Sequence, residues 1–180
     1  MLKFFKNNKN AIYGGTLATL FTGMGIFLLG NISGYEAKNL LKVSLSGLTI
    51  LCNTIVLASA TILALLLTLL SVSFGSDNNL KKKHYYQILN IAKFDVILFI
   101  AALIIFQFFN IPILEANNVP ISWYNKIYWT TLASTSIISG MMITVILMLY
   151  NAVTNLITII GLNANHPLLY NEEDEEEVEK

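Results

Sequence analysis

The sequence predicts an all-α fold: a polytopic membrane protein with four transmembrane helices in an antiparallel bundle and cytosolic helical extensions. Of its 180 residues, 55% are hydrophobic and 12% are charged, and the mean hydropathy is +0.63. A soluble domain usually carries about 25% charged residues. Four apolar segments are each long enough for a helix to cross a hydrocarbon core of about 30 Å, which takes about 20 residues. Water is therefore the wrong solvent for most of this chain.

The apolar segments set the expected domain organisation. We expect helices at about residues 11–30, 35–74, 79–110 and 122–161, within a bundle that covers residues 11–162. The first segment is too long for the apolar part of an ordinary signal peptide, so we expect it to remain as an anchor. The second and fourth segments exceed the thickness of a membrane, so these helices must tilt or project beyond it.

The distribution of lysine predicts the orientation, because positive charge near helix ends favours the cytosolic side. With the N-terminus inside, the cytosolic side holds Lys3, Lys6, Lys9, Lys81, Lys82, Lys83 and Lys93, and the outer side holds Lys38, Lys42 and Lys126. Both termini are therefore expected in the cytosol, with residues 1–10 as a basic head. All basic residues are Lys, which is typical of an AT-rich bacterial genome, so we expect the plasma membrane of a bacterium, its inner membrane.

A face of small residues marks the first helix. Gly15, Thr19 and Gly23 follow one another at four-residue spacing, so they lie on one side of a helix and let a neighbouring backbone approach closely. This pattern indicates either packing inside one chain or an interface between subunits of a homo-oligomer.

Polar residues inside the apolar segments allow two interpretations. Asn53 in the second helix could hydrogen bond to a neighbouring helix, and Ser134, Thr135 and Ser139 in the fourth could bond back to carbonyls of their own helix. Alternatively, these side chains line a pore.

Asp95 is the one carboxylate close to a hydrophobic core, where a charge is costly enough to suggest a function. The alternatives are a gate or proton-coupled site, and a structural carboxylate paired across helices or reaching the interface.

The last residues, 163–180, form an acidic tail that we expect to be disordered in isolation. Three apolar residues precede the acids and could anchor a cytosolic partner: Leu168, Leu169 and Tyr170. Six consecutive acids could steer that partner through a basic surface: Glu172, Glu173, Asp174, Glu175, Glu176 and Glu177. The simpler interpretation is a solubilising end.

Little in the sequence points to catalysis. The chain has one Cys and two His, and neither these nor the acids form a cluster at metal-ligand spacing, so we expect no enzyme, metal or cofactor. A nucleic-acid partner is not expected either. The leading hypothesis is a non-enzymatic membrane bundle, in contact with lipid and homo-oligomeric, that anchors or regulates a cytosolic protein through its inner end and acidic tail. The alternative is an oligomeric ion channel or membrane-permeabilising effector lined by Ser, Thr and Asn.

Overall fold

The computed structural model describes residues 9–28, 34–75, 82–111 and 120–161, and these residues form four helices. The helices are α1 (Lys9–Leu28), α2 (Gly34–Gly75), α3 (Lys82–Phe109) and α4 (Ile121–Gly161). The predicted all-helical class is therefore confirmed for the described part of the chain. The basic head up to residue 8 and the acidic tail lie outside the described residues.

The ends of two helices have local causes. α4 begins directly after Pro120, a residue that cannot donate a backbone hydrogen bond, and the Trp123 amide donates to the Pro120 carbonyl at 2.9 Å. α3 ends at Phe109, although the Asn110 amide still donates to the Phe106 carbonyl at 3.0 Å. Pro112 follows two residues later, and its ring disfavours a continuing helix.

Three helices are long and apolar enough to cross a membrane: Glu36–Ser73, His84–Phe109 and Ser122–Thr158. Their outer faces carry large apolar side chains that the bundle leaves exposed, such as Leu57 and Ile104. This surface is compatible with a membrane protein. The fourth span, in α1, stays a prediction.

The core lies between α2, α3 and α4. On α2 the buried positions alternate at spacings of four and three residues, which is the period of one helix face: Leu48, Cys52, Ile55, Ser59, Ile62 and Leu66. They pack with Ile91 and Leu98 of α3 and with Val145 and Met148 of α4. α4 is the central element, because it contacts all three other helices.

A second cluster joins the beginnings of α2 and α4. Ala37 and Leu41 of α2 pack with Tyr124 and Tyr128 of α4, and all four are buried. The Lys38 ammonium lies 5.3 Å from the centre of the Tyr124 ring, within the range of a cation–π interaction. The first turns of α2 and α4 therefore lie at the same end of the bundle.

Candidate functional site: buried polar groups between the second and third helices

Asp95 is the most unusual buried group. It lies on the inner face of α3 between Ile91 and Leu98, and its side chain is 0% exposed. Ser59 of α2, also 0% exposed, lies beside the carboxyl group. Nevertheless neither carboxyl oxygen, nor the Ser59 hydroxyl, forms a hydrogen bond of ordinary length with any described residue. A hydroxyl and a carboxyl group thus face each other in an apolar interior, where an unpaired charge is very costly.

The surroundings of Asp95 differ from those that the structural interpretation of the sequence predicted. That interpretation expected an ion pair with another helix or a side chain that reaches the membrane interface. In the described part of the chain the carboxyl group has no ion-pair partner and no exposure, and its polar neighbour is Ser59. A gating role stays a hypothesis, now attached to the contact between Asp95 and Ser59.

A second polar contact lies where α2 ends and α3 begins. The Ser73 hydroxyl donates to the Leu69 carbonyl at 2.8 Å, and its oxygen lies 3.1 Å from His84 Nε2. Because the Ser73 proton is already used, Nε2–H of His84 is the donor in this second bond. His84 is 1% exposed and its Nδ1 has no partner among the described residues. This bond ties the two helices together beside their connection.

α1 crosses α4 at Gly15 and Thr19, and α4 contributes the same two residue types, Gly140 and Thr144, to the contact. A Cβ at Gly15 would meet Thr144 Oγ1 and would lie 2.7 Å from the Gly140 carbonyl oxygen. A Cβ at Gly140 would likewise meet Thr19 Oγ1 and lie 2.8 Å from the Gly15 carbonyl oxygen. Each threonine donates to the carbonyl of the glycine in its own helix, at 2.9 Å. Each helix thus offers a glycine to the threonine of the other.

Gly23, the third member of the predicted face, is not part of this crossing. A Cβ at Gly23 would have no described heavy atom within 4 Å. Of the three residues of the predicted face, Gly15 and Thr19 lie at the contact with α4. A role for Gly23 in an oligomer stays a prediction.

The threonine hydroxyls of α4 mostly bond to their own helix. Thr130, Thr131, Thr135 and Thr144 each donate to the carbonyl four residues earlier, at 2.8–2.9 Å. Ser134, Thr135 and Ser139 are half-buried. The arrangement agrees with polar groups tolerated in an apolar helix. A pore lined by these three residues stays a prediction.

Asn53 faces outward. It is exposed, and no hydrogen bond joins it to the described residues. The expected hydrogen bond to a neighbouring helix is therefore absent within this part of the chain. Its neighbours Thr54 and Thr61 are also exposed, but each donates to the carbonyl four residues earlier.

Sequence reasoning missed three polar residues of the interior. Ser59, Ser73 and Gln87 are buried, but Ser59 and Ser73 lie in a long apolar run and Gln87 follows a polar stretch at residues 81–86, so no pattern indicated which face turns inward. Among the described residues, no three His, Cys, Asp or Glu side chains come together to hold a metal ion. The predicted docking residues from Leu168 to Glu177 lie outside the described residues.

In comparisons with known proteins, no family model, curated protein or solved structure matches the chain. The fold and the candidate site therefore define a structural class. The described part of the chain is all-helical, and three of its helices are compatible with insertion in a membrane.

Proposed function

We propose that this chain is an antiparallel four-helix bundle of the bacterial inner membrane that anchors or regulates a cytosolic partner protein. The supporting observation is helix length. α2 has 42 residues and α4 has 41, so each is about 60 Å long, twice the thickness of a hydrocarbon core. Part of each helix is thus available outside the membrane, on the side where we place both termini.

The order of the contacts supports the antiparallel arrangement. Gly14 of α1 meets Leu147 of α4, whereas Thr19, further along α1, meets Gly140, earlier on α4. The bond between Ser73 and His84 joins the end of α2 to the beginning of α3. With α2 and α4 starting at the same end of the bundle, these contacts agree with an up-down-up-down order.

The position of the membrane follows from aromatic and basic residues. Trp123 and Trp129 are exposed on the first turns of α4, and amphipathic rings favour the headgroup layer. Lys38 and Lys42 begin α2 at the same level. A hydrocarbon core then takes about 20 further residues of each helix. We call the remaining part the collar: residues 64–75, 82–90 and 150–161.

The collar presents an apolar surface. Val72, Tyr86 and Tyr150 are respectively 48%, 63% and 65% exposed, and Leu89 and Ile157 are exposed as well. Outside the membrane, an apolar surface of this kind is typical of a protein interaction site. The bond between Ser73 and His84 holds α2 and α3 together beneath it. The partner we propose therefore carries an apolar patch flanked by basic residues, which would match the collar and the acidic tail.

The experiment uses the full chain in native membranes with a photo-crosslinking residue at Tyr86 or Tyr150. The matched control is Ile111, an exposed apolar residue at the other end of α3. We expect one cytosolic protein to crosslink from the collar positions and not from Ile111. Equal crosslinking from all three positions, or none from the collar, would contradict the proposal.

The tail then separates two contributions to capture of that protein. Changing Leu168, Leu169 and Tyr170 together to Ala is expected to speed release, because apolar contacts set residence time. Changing the acids from Glu172 to Glu177 to neutral amides is expected to slow capture at low salt only, since the Debye length is about 3 Å at 1 M. Neither effect would occur if the tail were only a solubilising end.

The second candidate is the oligomeric channel, which the exposed Asn53 favours. A channel would conduct ions in liposomes without a partner. Its flux would fall in Asn53→Leu or Ser134→Leu and would not depend on the tail. That result would replace the anchor proposal.

A further inference from the structure

The outer face of α2 carries a regular seam of residues that the rest of the described chain leaves uncovered. Its members alternate at spacings of four and three residues and are all exposed: Ser46, Ile50, Asn53, Leu57, Ala60, Ala64, Leu67 and Ser71. The buried face of α2 has the same spacing and lies on the opposite side of the helix. α2 thus has two faces suited to helix packing, and the bundle uses one.

The composition of this seam differs from that of a lipid-facing surface in the same chain. The exposed face of α3 carries one amide, Gln107, near the end of the helix, and is otherwise made of large apolar side chains: Val96, Ile97, Ile100, Leu103, Ile104 and Phe108. The seam of α2 instead contains two serines, two alanines and one asparagine, of which Ala64 and Ser71 lie in the collar and the others in the proposed membrane span. Small residues gain nothing from contact with lipid, but they let a second helix backbone approach closely.

Asn53 indicates what covers the seam. Its amide carries two N–H donors and one carbonyl acceptor, it is exposed, and it has no hydrogen bond to a described residue. Thr54 and Thr61 use their own helix carbonyls, but Asn53 does not. Hydrocarbon offers no partner, and a polar group left alone there is costly. A second Asn amide satisfies one of its N–H donors and its carbonyl acceptor.

We propose that α2 pairs with α2 of a second copy of this chain, in a parallel two-fold dimer along this seam. Two copies with one topology have parallel α2 helices, and a two-fold axis along the membrane normal places each seam residue opposite itself. Asn53 then exchanges hydrogen bonds with its counterpart, while Ala60 and Ala64 bring the backbones close. One Asn in such a seam fixes the register and favours two strands. The dimer rests on the proposed membrane insertion and not on the proposed partner.

Cysteine crosslinking in native membranes tests the geometry of the dimer. In a Cys52→Ala background, single Cys variants are made by Ala60→Cys, Ala64→Cys and Ile104→Cys, and a mild oxidant is added. We expect disulfide-linked dimers for the two α2 variants and none for the α3 variant, whose position faces lipid. Dimers at Ile104, or none at either alanine, would overturn the proposal.

The Asn53→Leu variant tests the hydrogen bond. Loss of this interhelical hydrogen bond is expected to raise the dissociation constant of the dimer about 3- to 20-fold. The dissociation constant is measured by energy transfer between labelled copies in liposomes. Thr54→Val is the matched control, because Thr54 bonds to its own helix. Since Asn53 lies on the surface, the melting temperature of the monomer should not change. An unchanged dissociation constant would refute the Asn53 pairing.

The two proposals can fail separately. Crosslinks at Ala60 with no partner at the collar would leave the dimer and remove the anchor. A partner captured by a chain without α2 crosslinks would do the reverse.

Discussion

Replacing Gly15 by Leu is expected to detach α1 from α4, with a loss of about 3 kcal/mol or more from the free energy of unfolding. The Gly140 carbonyl lies 2.7 Å from where the first side-chain atom would stand, and Thr144 Oγ1 occupies the same place. A backbone group cannot turn away as a flexible side chain can, so the two helices must separate. α1 has its main contact with α4, so separation removes most of its packing. The measurement is unfolding in mild detergent.

The matched control for this variant is Gly23→Leu. Gly23 has the same spacing and lies on the same helix, but no described atom is within 4 Å of its added Cβ. We expect the monomer to accept this change, and Gly140→Leu to behave like Gly15→Leu. Equal losses for Gly15→Leu and Gly23→Leu would show that the reciprocal contact is not what holds α1.

Replacing Asp95 by Val is expected to stabilise the bundle. Both carboxyl oxygens are buried without a hydrogen bond among the described residues, and an unsatisfied buried polar group costs about 1–3 kcal/mol. Val removes this group with a small change in volume. Most substitutions in a core destabilise, so a gain in the free energy of unfolding is a distinctive result.

The control for Asp95→Val is Leu98→Ala, one turn away on the same buried face of α3. It should lose about 2–5 kcal/mol, because it leaves a cavity. A stabilised Asp95→Val variant with weaker partner capture would indicate that the carboxyl group is kept for function. A loss of stability would contradict this expectation and would indicate that the Ser59 hydroxyl satisfies the carboxyl group.

The elements of the fold were predictable, because an apolar run of 20 or more residues has few structures available in a membrane. Facing was harder. Asn53 and Ser59 are both polar residues of α2, yet Asn53 is exposed and Ser59 is fully buried. α2 is apolar around its circumference, so the sequence gives no inner stripe to separate the two.

The candidate sites show the same division. Asp95 was identified by its charge, but its neighbour Ser59 depends on how α2 and α3 pack, which no local pattern reports. Only the α1 side of the contact between α1 and α4 was predicted from the sequence. Gly15 and Thr19 were predicted, whereas Gly140 and Thr144 were not, although they repeat the same spacing. A search for matching pairs of small residues in different helices would have found them.

We propose a membrane bundle with both termini in the cytosol, and a topology reporter tests this orientation. A reporter active only outside the cytosol is fused to the chain after each of four residues: Ala37, Asn78, Asn117 and Asn171. We expect activity after Ala37 and Asn117, and none after Asn78 and Asn171, because the lysines near the helix ends favour that orientation. Activity after Asn78 would overturn the proposed orientation, since it would place the collar and its docking surface outside the cell.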